Sequence, residues 1–516
     1  MIKIEYICHA CLLIDTGDLK IVTDPWFHGP AYCGQWNVFP KPVNLDALDA
    51  ADCLLLSHGH EDHLHEPSLR RIRKSARVFY PFNWYGGTRE YLRGMGFDEV
   101  REAVSGKTYR LTKDTSVTYL ANNLDSIVVI ESGGRVVVNV NDALHAYPAG
   151  VIDFFTSMLR RRWPSIDTVL CGFGGASYFP NTIHLEGKND REIGALREQL
   201  FAHNFCRIVC QLAPRVAVPF AADFALLAPA QRWINEVRFP RAHLAEYYRE
   251  HFGRPGEPQP EIQEMYSGDV LENDELKTLS PYRREFESQG SLDRLVDVQY
   301  KAEIEELSRA TIINETDAEK LGDEIEANVR LRASLFDPAT LAQLKFCVRV
   351  SDVNGRNCFN VAFDGNESAF GDDVARVART SEPATGSLLV IDTSSRILRY
   401  SFGSEWGGDT LTIGYGCEVH VFDRRAVEAK LDTICLRLLT RHPTARGHMK
   451  KEPIRAVRHL ARNPLMRTWA LDRLKSTPVE NKIYDQNLWL LRSKCDICQI
   501  CDLPLIGDDF AAPSSS

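Results

Sequence analysis

Residues 57–65 read SHGHEDHLH, so His58, His60, Asp62 and His63 place four potential metal ligands within six positions. Directly before them runs ADCLLLS, a short apolar segment of the kind that forms a buried strand. Directly after them, Glu66-Pro67-Ser68 opens a helix with proline in its first turn. A polar loop fixed by a strand on one side and a helix on the other is where catalytic groups are commonly held. Imidazole and carboxylate without a local thiolate suit zinc, iron or manganese and disfavour a structural zinc knot. With two imidazoles on one ion and a carboxylate plus an imidazole on the next, positions stay open for water or a substrate oxygen. The competing reading is a histidine-rich surface loop.

Around this loop the first 220 residues alternate short apolar runs with helical stretches. IKIEYI, CLLIDT, LKIVTD, VTYLA, IVVIES, RVVVNV and TVLCGF are bounded by Gly, Asp or Asn and read as strands. Asn189-Asp190 caps a helix running through REIGALREQLFAHNF. The pattern predicts an α/β domain over 1–240. A polar, Glu/Arg/Leu-rich stretch over 241–335 reads as connecting helices. An α+β C-terminal domain is expected over 336–440, with a hairpin turning at Asn354-Gly355. GSLLVIDT, RILRYSFG and DTLTIGYGCEVHVF read as further strands. Residues 441–516 form a helical, cysteine-containing tail. Its stretch 441–475 holds ten Lys/Arg against two Asp/Glu, with Ile454, Val457, Leu460 and Leu465 on one helical face.

The net charge of −9 argues against general nucleic-acid binding. No apolar run is long enough to span a membrane, and the N-terminus carries an acid and a histidine where a signal peptide needs an apolar core. A cytoplasmic protein is expected. Its scattered cysteines then act mostly as small buried apolar residues. The exception is Cys495, Cys498 and Cys501, three thiols at metal-ligand spacing that suit zinc or an iron–sulfur cluster, a docking tail, or inert thiols.

The order His58-Gly59-His60-Glu61-Asp62-His63 resembles the HxHxDH motif of the metallo-β-lactamase superfamily. The resemblance implies an αββα sandwich in which His58 and His60 bind one ion, and Asp62 and His63 a second. It further implies that Asp24 supports the loop and that Asp142, in VVVNVND, bridges the ions. Cys8-His9-Ala10 resembles a turn of the lactonase-like branch, which would bring His9 to the site as a catalytic partner of Asp62; a core histidine is the alternative. Four stretches, DPWFHGPAYCGQW, CGFGGASYFP, VAVPFAADF and GSEWGGDTLTIGYGCEVHV, are similar to the CMP-N-acetylneuraminic acid hydroxylase family. This implies an iron-dependent oxygenase acting on a polar small molecule. That family carries an N-terminal Rieske domain, which this chain is expected to lack, so electrons would come from a separate electron-transfer protein.

The pattern departs from the superfamily in two places. No histidine lies between His65 and His145, where a further ligand is usual; Asn122 or Asn123 stands nearby, and His145 is the substitute ligand this reading offers. The late histidine is also missing, leaving Asp223 in its neighbourhood. The glycines of GFGGASYFP are expected to line a pocket, with Lys188 a surface lysine or an anion contact. The second reading is a dinuclear zinc or manganese hydrolase of lactonase or phosphodiesterase type. The third is a degenerate, non-catalytic relative.

Overall fold

The computed structural model describes residues 2–81, 87–122, 125–147, 149–176, 178–187, 189–256, 258–287, 289–308, 315–334, 336, 338–351, 357–364, 378–380, 386–423, 426, 431–441 and 453–462. Near-continuous apolar runs become strands buried on both faces, and they assemble into two sheets. The first has eight strands in the order Glu275–Lys277, Val270–Glu272, Lys3–Cys8, Cys11–Asp15, Lys20–Thr23, Cys53–Leu55, Arg77–Pro81, Val100–Ala103. The second has seven, in the order Glu261–Ile262, Val216–Phe220, Thr168–Gly172, Arg135–Asn141, Asp125–Ser132, Thr115–Asn122, Thr108–Arg110.

Side-chain alternation decides which residues fill which layer. Leu12 and Ile14 join Val128, Leu170 and Val218 in a core between the sheets. Leu13, Val22 and Val78 face the other way, against Leu69 and Leu92. On the outer face of the second sheet, Val138 and Val140 pack against Phe155 and Phe205. Those two phenylalanines come from the helices Ala149–Arg162 and Asp190–Leu212. The result is the αββα sandwich of the metallo-β-lactamase fold. The helix at 190 starts as the sequence implies, with the Asn189 side chain accepting from the Glu192 amide at 3.4 Å.

A third sheet belongs to the C-terminal part, in the order Ile183–Leu185, Cys417–Val421, Leu389–Thr393, Lys345–Ser351, Asn357–Asp364, Ala378–Thr380. The hairpin at Asn354-Gly355 pairs as expected, Lys345 opposite Asp364, although its turn lies outside the described residues. Its edge strand, Ile183–Leu185, comes from the first domain and runs parallel to Cys417–Val421. Both parts of the chain therefore share one sheet.

Three expectations change. The span 241–335 holds helices, yet it also supplies Glu261–Ile262, Val270–Glu272 and Glu275–Lys277, which close edges of the two N-terminal sheets. Strands of two or three residues carry no readable periodicity. RILRYSFG is not a strand: Ser395–Gly403 is a helix, capped by the Ser394 hydroxyl accepting from the Ile397 amide. Ile397, Leu398 and Ser401 are its buried face, a spacing that helical geometry brings together. In DTLTIGYGCEVHVF, Gly407–Leu411 is a short helix and the strand begins only at Cys417. The basic helix is present at Pro453–Arg462, with Ile454 and Val457 exposed. Cys495, Cys498, Cys501, Leu465, Lys188 and Asn123 lie outside the described residues. Among the described residues no helix is long and apolar enough to cross a membrane.

Candidate metal centre

The strand Cys53–Leu55 runs parallel between Lys20–Thr23 and Arg77–Pro81 and delivers the loop 57–65 to the end of the first sheet. Asp24 terminates the neighbouring strand and fixes the loop from below. Its backbone is left-handed, with φ of 33°, a strained setting for a residue other than glycine. Its buried carboxylate accepts from the Ser57 amide and the Ser57 hydroxyl, both at 2.7 Å, from Asn141 Nδ2, and from His63 Nδ1 at 3.1 Å. This is the supporting role that the motif implied. A carboxylate on Nδ1 fixes the ring's orientation and leaves Nε2 free to serve as a ligand.

His63 Nε2 is buried and has no hydrogen-bond partner among the described residues. It lies 3.3 Å from Asp142 Oδ2 and 3.5 Å from Asp62 Oδ2. His58 Nδ1 meets the Ser57 hydroxyl at 2.8 Å, while His58 Nε2 stands 2.8 Å from His60 Nδ1 and 3.8 Å from Asp125 Oδ1. His9 sits in the bend between the first two strands, with φ of 46°, and its Nε2 is 3.2 Å from Asp62 Oδ2. Among the described residues, three groups of ligand atoms are close enough for one ion each: His58, His60 and Asp125; His58, His63 and Asp142; His9, Asp62 and His63. Two ligands on one ion, each about 2.1 Å from it, stand about 3.0–3.4 Å apart. The observed separations bracket that range. Asp125 Oδ1 and Asp142 Oδ1 are also buried without hydrogen-bond partners among the described residues. Orphaned polar atoms of this kind are costly, and an ion among them would satisfy them together.

The electrostatics follow from burial among like and unlike charges. Burial pushes the His58 imidazole well below its ordinary value, and His63 and His60 push it the same way. At His63 burial works downward, but Asp62 and Asp142 overcome it and hold the ring protonated well above the usual range. Burial raises the Asp62 carboxyl, yet His63 and His9 pull it well below the carboxylate range. Asp142 is held low in the same way, chiefly by His63. At Asp125 burial outweighs the downward pull of His60 and lifts the carboxyl to about 6. A protonated His63 cannot ligate, so metal uptake releases its proton.

Sequence reasoning missed Asp125. It pairs with Asn122 across the end of a hairpin, and that register carries it to His58 and His60. Tyr147 donates its hydroxyl to Asp125 Oδ2 at 3.1 Å. Asn122 is committed elsewhere, donating to the Ala143 carbonyl at 2.6 Å. Tyr32 was also missed; its hydroxyl donates to Asp62 Oδ1 at 2.6 Å. His145, expected as a ligand, falls in none of the three groups. Its buried ring packs on Phe201 and presses on Gly172, where a Cβ would lie 2.6 Å from Nδ1. Asp223 also falls in none of them, and its carboxylate is bound by Arg241 and by the Tyr6 hydroxyl. Gly174 lines a cavity of about 80 Å³ with Phe173, Glu198, Asp223 and Arg238, and none of the clustered histidines borders it.

Residues 3–147 match the model of the beta-lactamase superfamily domain. The chain is 28% identical over 253 residues to the cytidine monophosphate-N-acetylneuraminic acid hydroxylase of Danio rerio, covering 46% of this chain and 40% of that protein. It is equally similar to the Mus musculus hydroxylase, covering 46% of this chain and 41% of that protein. The chain thus spans about two fifths of the length of these relatives. Among solved structures, CmlA, a diiron beta-hydroxylase from Streptomyces venezuelae, is 19% identical with a TM-score of 0.36, covering 54% of each chain. An isothiocyanate hydrolase from Delia radicum gut bacteria is 16% identical with a TM-score of 0.37, covering 52% of this chain and 98% of that one.

Proposed function

We propose that this chain, whose residues 3–147 form a metallo-β-lactamase superfamily domain, is an iron-dependent oxygenase that hydroxylates a polar small molecule. The observation that carries the reading is the donor set: each of the three groups offers two imidazoles and one carboxylate. That combination with open positions is the ligand set of non-haem iron oxygenases. The sequence similarity to hydroxylases supports the same direction.

In this reading His58, His60 and Asp125 hold one ion, and His63, Asp62 and His9 hold a second. Asp142 lies between them through its contact with His63. Iron bound there supplies the activation of dioxygen. The chain's own residues set the stage for it. Asp24 keeps His63 Nε2 aimed inward, Tyr32 orients Asp62, and Tyr147 orients Asp125. Asp62 and His9, with Oδ2 and Nε2 3.2 Å apart, are proposed to act in the reaction through the second ion that they would hold. Hydroxylation consumes dioxygen, two electrons and two protons, and yields the alcohol and water. The electrons are assigned to a separate electron-transfer protein, and a cytoplasmic setting belongs to the same proposal.

The test is elemental analysis of protein purified without oxygen, followed by dioxygen uptake with a chemical reductant. Iron at one to two ions per chain, with uptake, supports the reading. A protein that takes only zinc and stays redox-silent refutes it. The second reading, a zinc or manganese hydrolase of lactonase or phosphodiesterase type, is favoured by Asp142, whose carboxylate is one-quarter exposed beside the buried ligands. Lactone or phosphodiester turnover in the absence of oxygen would select it.

A further inference from the structure

The loop 57–65 contains no helix or strand, so its shape depends on what grips it. From the first domain, Asp24 binds Ser57 and His63. The two motif residues that are not candidate ligands, Gly59 and Glu61, are gripped from the other side. Trp406 donates its indole N–H to the Gly59 carbonyl at 2.8 Å. Tyr400 donates its hydroxyl to Glu61 Oε1 at 3.1 Å. The other oxygen of Glu61 accepts from the Tyr32 amide at 2.6 Å, and the Tyr32 hydroxyl holds Asp62. Tyr32 in turn lies beneath Gly414, where a Cβ would come within 2.7 Å of the tyrosine Cβ. Asp409, on the same C-terminal segment, is buried within reach of the charges of His60 and Asp62.

We infer that the C-terminal α+β unit is a working part of the metal centre, with Tyr400 and Trp406 as positioning residues that fix His60 and Asp62 through Glu61 and Gly59. Contacts beyond the ligands themselves commonly set metal affinity, because they hold ligand atoms where the ion needs them. The division of labour is specific. His58 and His63 are held by Ser57 and Asp24 within the first domain. His60 sits between the two residues that the C-terminal unit grips, and Asp62 directly follows the second of them. Loss of that grip therefore loosens one ligand of each ion.

This inference rests on the proposed metal centre, and the experiment separates the two. Cobalt(II) alone is titrated against a chelator into wild type, Tyr400→Phe and the Tyr400→Phe/Trp406→Phe double variant. Arg399→Ala, on the same helix as Tyr400 but breaking only an exposed ion pair to Glu324 of the helix Glu315–Ala333, is the control. The double variant is expected to bind cobalt about tenfold more weakly and to show an altered visible cobalt spectrum, with the control unchanged. Amide hydrogen exchange of the metal-free proteins is expected to quicken across 57–65 in the double variant while Lys3–Cys8 keeps its protection. Exchange across 57–65 that matches wild type overturns the inference. A wild type that takes up no cobalt removes the metal reading, and exchange then decides the grip alone. Tyr400→Phe retains the ring and carries the same comparison if the double variant does not fold.

Discussion

Replacing Asp24 by asparagine removes the charge beneath the ligand loop while keeping its shape. The carboxylate accepts from Ser57 N, Ser57 Oγ, Asn141 Nδ2 and His63 Nδ1 in a fully buried setting. An amide keeps one acceptor oxygen and turns its amino group toward donors, so about two of these bonds are lost. Each buried donor left unpaired costs about 1–3 kcal/mol, which gives a destabilisation of about 2–6 kcal/mol. His63 also loses the partner that fixes its ring, and metal affinity should fall by about 10–100-fold. Urea unfolding of the metal-free protein reads the first effect, and a cobalt titration of the folded protein reads the second. An Asp24→Asn protein with wild-type unfolding midpoint and wild-type affinity would refute the claim that this carboxylate organises the loop.

Asp223→Asn should leave buried Arg241 without its counter-charge and cost about 3–5 kcal/mol, with metal stoichiometry unchanged; a lost ion would return Asp223 to the ligand set. Glu198 is buried and its carboxyl is pushed up to about 7 by burial, against the pull of Arg238 and two backbone amides. A raised carboxyl favours the folded state fully below the unfolded value near 4.5, and that contribution is lost as pH rises through about 7. Glu198→Gln should therefore gain stability relative to wild type between pH 5 and pH 8, seen as a widening gap in urea midpoints; a gap that does not vary with pH counts against it.

How much could be read from sequence depended on where the signal lay. The N-terminal strands are near-continuous apolar runs, and burial on both faces requires that composition, so CLLID and RVVVNVN stand out locally. The loop 57–65 is equally local, since its ligands are consecutive in the chain. Asp125 is the opposite case. A lone aspartate at the start of a strand has no distinguishing neighbours, and only the hairpin register beside Asn122 places it at His58. The same holds for Tyr32, which reaches Asp62 across 30 positions. The helix Ser395–Gly403 was misread because its β-branched and aromatic content suggests a strand, whereas its buried residues Ile397, Leu398 and Ser401 follow the helical period.

Whether an ion binds among His58, His60 and Asp125 decides the function of this chain. Anomalous X-ray scattering at the iron edge, from crystals grown with ferrous iron under anaerobic conditions, measures this directly. The expected result is a peak within about 2.0–2.2 Å of a nitrogen of each histidine and of an Asp125 oxygen. A peak held by other residues, or none among these atoms in iron-saturated crystals, would contradict it.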